Sequence, residues 1–371
     1  MPNNQYKADF NLNESCYFLS HSVGRPLKSS KASLEKSFFS HWEKSEPWDG
    51  WLEIVHDFRR ALSRLFNVPM EEFCPQTNLS SAVVKLVMSL DVLKKPGAIV
   101  LLSEIDFPSM GFAIQHALPD TCKIKYIPKH LDITDPNVWN EYLKKDISLA
   151  FVTHAYSNTG QLAPLAKVVR LANDKNILTL IDVAQSAGIV DVDLSLLKPS
   201  FMVGSSVKWL CGGPGAAFLW VNSENLDECS PLDVGWFSHE SPFEFNIHDF
   251  RFHQSSLRFW GGTPSVIPYA LAAESISYMA NIGSVTLREH NQALIDRIVI
   301  EVGDEFLSPR LLEKRSGTIV LGFGDRLEKI MQVLKKKNIM ADVREQGIRV
   351  SPHIYNELAD MEQLISAIVS V

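Results

Sequence analysis

The chain has 371 residues, of which 46% are hydrophobic and 21% charged, with a net charge of −7 and a pI near 5.9. These values describe a globular chain with enough apolar residues for a sizeable core. They exclude a basic nucleic-acid or anionic-membrane surface, since the densest basic run, LKKKNI around Lys335, reads as a solvated helix end.

In chain order, the opening run MPNNQYKADFNLNES is polar and has no signal-peptide core. The first 30 residues are too short to fold alone and are expected to pack against a C-terminal domain. SSAVVKLVMSLDVL puts Ala82, Val83, Leu86, Val87 and Leu90 on one face of a helix spanning 79–93. AIVLLS (98–103) and KIKYIP (123–128) read as short strands, and SLAFVTH (148–154) as a buried one followed by the turn SNTGQ. A helix carrying Leu165, Val168, Val169 and Ala172 precedes the strand ILTLIDVA (177–184). The runs FMV and AAFLWV complete the series.

Strands alternating with helical patterns predict an α/β fold with a mostly parallel sheet covered on both faces. Ligands of such sheets sit at the carboxyl ends of strands. Asp182, His154, Asn158 and Lys208 all fall there. After about residue 265 the pattern becomes a smaller α+β unit, with a helix starting near Pro264, then GTIVLGF, RLEKIMQVLKKKN and GIRVSP. The expected organisation is a segment 1–30, a large domain 31–262 and a small domain 263–371.

Several chemistries lack their signatures. There is no G-x-G-x-x-G, no G-x-x-x-x-G-K-[ST] and no G-x-S-x-G. His239, His248 and His253 are spaced like loop histidines, so no metal is expected. Cys16, Cys74, Cys122, Cys211 and Cys229 lie far apart, as reduced thiols of a cytoplasmic protein do. No run of about 18 apolar residues exists to cross a membrane.

FMVGSSVKWLCGGPGAAFLWV (201–221) places Lys208 between two apolar runs. A surface charge, a phosphate clamp and a nucleophile are all open to it. A desolvated lysine has a lowered pKa and a neutral amine suited to carbonyl chemistry. Pyridoxal phosphate needs such a lysine and an acid for its ring nitrogen, and Asp182 lies 26 positions earlier.

DVAQSAG (182–188) with GSSVKWLCGGPG (204–215) resembles the class V aminotransferase family of fold-type I pyridoxal-phosphate enzymes. That family includes cysteine desulfurases, kynureninases and isopenicillin N epimerase-like proteins. CYFLSHSVGRPL, SNTGQLAPL, RFWGGTPSVIP and IRVSPHIYN extend the resemblance over most of the chain. It implies the fold-type I architecture: a large cofactor domain with a mixed, mostly parallel sheet, and a small C-terminal domain.

The resemblance also implies site roles. Lys208 forms the Schiff base and shuttles the Cα proton, Asp182 pairs with the pyridine nitrogen and Gln185 meets the ring's 3-oxygen. Leu79, Ser80 and Ser205 hold the phosphate, Phe107 stacks on the ring and Asn158 faces the 3-oxygen or the substrate. Arg349 holds the substrate carboxylate and Trp236 touches the substrate. Thr263 reaches the phosphate of a partner subunit, which implies a homodimer with its site at the interface.

The substrate implied is an amino acid, converted through a quinonoid by kynureninase-like or β-elimination chemistry, with transamination as the alternative. A catalytically inactive scaffold is the reading from another class. The segment DVGWFSHESPFEF (233–245) resembles kynureninases, whereas Val207 and Met110 stand where those enzymes carry tyrosine and aspartate. Structural alternatives stay open: a strand-end surface lysine for Lys208, a helix cap for Asp182, core packing for Phe107 and Trp236, and a structural acid partner for Arg349.

Overall fold

The computed structural model describes residues 5–44 and 46–371. Its centre is built from the chain's most apolar short runs. Strands β1 (Phe73–Gln76), β2 (Ile99–Ser103), β3 (Lys123–Ile127), β4 (Ile147–Thr153), β5 (Leu178–Asp182), β6 (Phe201–Ser205) and β7 (Ala217–Val221) form one sheet in the order β1-β7-β6-β5-β4-β2-β3. Pairs from β6 through β3 are parallel, whereas β7 runs antiparallel to both β6 and β1. β4 and β7 are buried on nearly every residue, as both-face coverage by helices requires.

Two helices pack together on one face. Helix α1 (Trp48–Phe66) turns Ile54, Val55, Phe58, Ala61, Leu62 and Phe66 inward and meets Ile267–Ile282, with the Phe58 and Tyr269 rings 4.9 Å apart. On the other face, α2 (Leu79–Ser89) and α3 (Pro108–Ala117) bury Ala82, Val83, Leu86, Met110 and Ile114 against the sheet. The helix read through 79–93 stops at Ser89. Leu90 turns out extended to bridge Cys229, and a separate short helix, Asp91–Lys94, follows. The helix expected near Pro264 begins at Ile267, with Pro268 in its first turn, where a missing N–H costs nothing.

The C-terminal part has its own core, with Ile319, Ile330, Leu334, Ile348, Val350, Leu364 and Ile368 all buried. Its sheet joins β8 (Ile319–Leu321), β9 (Asp342–Arg344) and β10 (Gly347–Val350), with β10 in the middle. The N-terminal segment is tied here, since Cys16–Tyr17 pairs in parallel with Ile339–Met340. The same segment also reaches the loop after β6, because the Gly24 amide donates to the Val207 carbonyl at 2.8 Å.

Candidate active site

Four parallel strands lie side by side in the order β6, β5, β4, β2, and their carboxyl ends open on one cleft of about 1080 Å³. β6 delivers Ser205 and then Lys208, β5 delivers Asp182, β4 delivers Thr153, and the turn after β2 delivers Asp106 and Phe107. These positions were fixed by where each apolar run ends. Gly213 and Gly215 then carry the loop after Lys208 back into β7 with positive φ of 74° and 92°. Ser206 braces that loop, donating to the Ala216 carbonyl at 2.8 Å.

Lys208 is the buried amine of the cleft, whose lining also includes Lys129 and His130. Burial lowers its pKa, the charge of Asp182 opposes that, and Arg349 adds to the lowering. Its Nζ lies 6.0 Å from the centre of the Phe107 ring. Asp182 is 5% exposed and accepts the Ala184 amide at 2.8 Å. Burial raises its pKa, and the Ala184 amide and Lys208 pull the other way. A buried carboxylate facing an open cleft suits a cationic partner there.

The other expected residues divide into two groups. Leu79, Ser80, Phe107, Asn158, Gln185 and Ser205 line the cleft with Lys208 and Asp182. Phe107 is 58% exposed, which leaves its ring open to the cleft it lines. Gln185 is partly committed, its amide donating to the His21 carbonyl at 3.0 Å and accepting from Trp209 Nε1 at 3.3 Å. Arg349 is buried at the edge of the cleft. Its Nη1 lies 3.3 Å from both Ser157 Oγ and Asn158 Oδ1, while Asp342 takes its Nε and Nη2.

Trp236 and Thr263 stand apart from this cleft. Trp236 packs into an aromatic cluster, edge-on to Trp48 at 5.5 Å and against Phe237 at 4.4 Å. Thr263 is exposed on the surface.

Several residues of the site had no role in the sequence reading. Asn78 caps α2, accepting the Ser81 amide at 2.8 Å, and lines the cleft with Thr77. An asparagine before a helical run is a readable cap signal. Asp342 and His21 back Arg349, with His21 Nε2 3.0 Å from Asp342 Oδ1, and no local pattern joins residues 321 positions apart.

The residues present fit pyridoxal phosphate. An amine whose pKa burial lowers faces a buried carboxyl group, and an uncovered aromatic ring lies beside them. The amino end of an eleven-residue helix, with two hydroxyls and an asparagine, offers donors to an anion.

Fold and site together define an enzyme that handles a carbonyl cofactor. The class-V aminotransferase profile matches residues 49–365, and the chain belongs to that family of pyridoxal-phosphate-dependent enzymes. It is similar to the isopenicillin N epimerase of Streptomyces clavuligerus, 28% identical over 93% of this chain and 92% of that protein. It is 24% identical to the kynureninase of Burkholderia mallei (strain SAVP1), over 90% of this chain and 82% of that one. In three dimensions it resembles the apo cysteine desulfurase of Thermococcus onnurineus NA1, with a TM-score of 0.88 at 20% identity, covering 99% of this chain and 97% of the other. No helix among the described residues is long and apolar enough to cross a membrane.

Proposed function

We propose that the protein converts an amino acid with pyridoxal phosphate held on Lys208, breaking a bond at the substrate's Cβ in a kynureninase-like or β-elimination reaction. The observation that carries this is the pairing of Lys208 and Asp182 in one buried cleft, with burial favouring the neutral amine. Bound there, pyridoxal phosphate supplies an electron sink for the pair left at Cα when its proton is removed.

The chain's own groups have separate tasks. Lys208 holds the cofactor through its amine and, once released, takes and returns a proton at Nζ. Asp182 stays ionised beside the ring nitrogen, while Gln185 faces the ring oxygen with the N–H it has left. Leu79, Ser80 and Ser205 donate to the phosphate, and Phe107 covers one face of the ring. Arg349 Nη1, with Ser157 and Asn158, receives the substrate carboxylate. None of the five cysteines lines the cleft, and burial raises the thiol pKa of each. Sulfur transfer to a chain cysteine is therefore not part of this reading.

Transamination is the second reading, favoured by the family match itself, because the same proton removal by Lys208 leads to it. The reading includes a homodimer in which Thr263 of one subunit reaches the cleft of the other. Exposed Thr263, and an apolar groove that shares Ser80 and Ser109 with the cleft, support it.

The test is borohydride reduction of protein loaded with pyridoxal phosphate, followed by peptide mapping. The expected result is a stable cofactor mass on the peptide containing Lys208, absent in Lys208→Ala. A label elsewhere, or none, overturns the reading. Analysis of keto acid against side-chain product then separates the two reactions.

A further inference from the structure

One residue delivered by the four strand ends has no task in the proposed function. Asp106 lies three positions beyond β2 and accepts the Ser103 amide on Oδ2 at 2.7 Å, closing a short turn. Its Oδ1 is buried without a hydrogen-bond partner. Thr153 Oγ1 and Tyr156 OH are likewise buried and unpartnered, and both hydroxyls are near enough to favour the ionised carboxyl. Thr153 pairs in register with Asp182, so Asp106, Thr153 and Asp182 occupy the ends of three adjacent strands and line one cleft. Three buried oxygens without a hydrogen-bond partner in one place are rare in folded proteins.

Two carboxyl groups in such a place do not ionise together easily. Asp182 has the Ala184 amide and the charge of Lys208 in its favour. Facing Asp106 are the Ser103 amide, the hydroxyls of Thr153 and Tyr156, and the like charge of Asp182. Its neighbour Glu104 turns away to accept the Lys129 amide at 2.9 Å. Burial pushes Asp106 up to about 7, the amide and hydroxyls offset this in part, and Asp182 adds to the rise.

We propose that Asp106 is a positioning acid for Asp182, protonated while Asp182 is ionised and, once it loses its own proton, adding a second negative charge that tightens the hold of Asp182 on a cationic ring nitrogen. The proton moves between Asp106 Oδ1 and solvent entering the cleft, and no other bond changes. This rests on the reading of Asp182 as the partner of that nitrogen.

The test titrates the holoprotein, labelled with ¹³C at the aspartate carboxyl carbons, by NMR alongside its visible spectrum. Asp106→Asn retains an acceptor for the Ser103 amide but cannot titrate. The wild type is expected to show one aspartate resonance with a midpoint within about one unit of 7, missing in Asp106→Asn. The visible spectrum of that variant should shift its midpoint by about half a unit or more. Thr153→Val keeps Asp106 and removes a hydroxyl that favours its ionised form, so the same midpoint should rise by about half a unit. That variant also serves if Asp106→Asn does not fold.

If no aspartate titrates in this range, or the two spectra titrate alike, the proposal is overturned. A protein that retains no cofactor on Lys208 sinks the proposed function instead. The Asp106 resonance, and the response of the Asp182 resonance to it, still decide the coupling between the two acids in that case.

Discussion

Asp342 holds Arg349 by both carboxylate oxygens, Oδ1 2.9 Å from Nε and Oδ2 2.5 Å from Nη2, across one rung of the β9–β10 hairpin. The fork leaves only Nη1 to turn toward Ser157 and Asn158. Arg349 therefore presents one N–H-bearing nitrogen to the cleft, and its aim depends on Asp342.

Asp342→Asn should consequently lower stability by about 2 kcal/mol at neutral pH, since it leaves a buried guanidinium without its counter-charge. Burial by itself would raise the Asp342 pKa, but hydrogen bonds from His21 and Arg349 override it and hold the carboxyl well below its usual range. A depressed acid contributes stability above its unfolded pKa of about 4 and loses it as pH falls toward the folded value. Chemical denaturation of wild type and variant should thus differ at pH 7 by a gap that begins to close only below about pH 4 and narrows further as pH falls toward the folded value. A constant gap across that range would show that the carboxylate charge is not what matters.

Gly24 passes against the loop that carries Lys208. A Cβ at this position would lie 2.1 Å from the Lys208 carbonyl oxygen and 2.6 Å from Cys211 Sγ. Backbone on one side and a buried side chain on the other leave nowhere to move. Gly24→Ala should cost about 1–3 kcal/mol and displace the lysine loop. The check is a thermal melt together with cofactor retention after dialysis, where both are expected to fall. An unchanged melt would mean that the N-terminal segment shifts freely.

The residues that sequence alone placed well are those governed by local pattern. β2 to β7 start and end within two residues of the apolar runs that announced them. Strand ends position ligands, so Asp182 and Lys208 could be read before any contact was known. Trp236 shows the limit, because its surroundings come from Trp48, almost 190 positions away. Asp106 was hidden for a similar reason: the proposed role of its carboxyl depends on Thr153, Tyr156 and Asp182, which two other chain segments supply. Leu90 left its helix for a bridge to Cys229, a pairing no helical period can register.

Two buried histidines set the acid limit. Burial, with a smaller contribution from Arg288, lowers His154 to about 4. Burial also lowers His353 to about 4, against a hydrogen bond to the Trp209 carbonyl at 2.8 Å. Between about pH 6.5 and 4 the unfolded chain binds these protons and the folded chain does not, so stability rises with pH there. Each histidine should remove about 3 kcal/mol by pH 4. His154→Leu should reduce the slope of unfolding free energy in this window by about one proton. An unaltered slope would show that His154 takes up its proton without unfolding.

The groove beside the cleft bears on the proposed homodimer. Val84, Met88, Phe112 and Leu232 line it, with Phe112 61% and Leu232 62% exposed, and Ser80 and Ser109 belong to both groove and cleft. Large apolar side chains left open at the rim of a site suit the covered surface of the proposed homodimer. In that homodimer a second copy seated there would border the end of the cleft at Ser80 and Ser109, which the proposed function gives to the phosphate and to Thr263 of that copy. Phe112→Glu places a charge in the proposed interface. It should convert a particle of twice 41.7 kDa into one of 41.7 kDa in sedimentation equilibrium. Cofactor affinity should fall with it, by about tenfold for a lost hydrogen-bonded contact of about 1.4 kcal/mol. A variant that remains paired and loaded would place the interface elsewhere and take Thr263 out of the site.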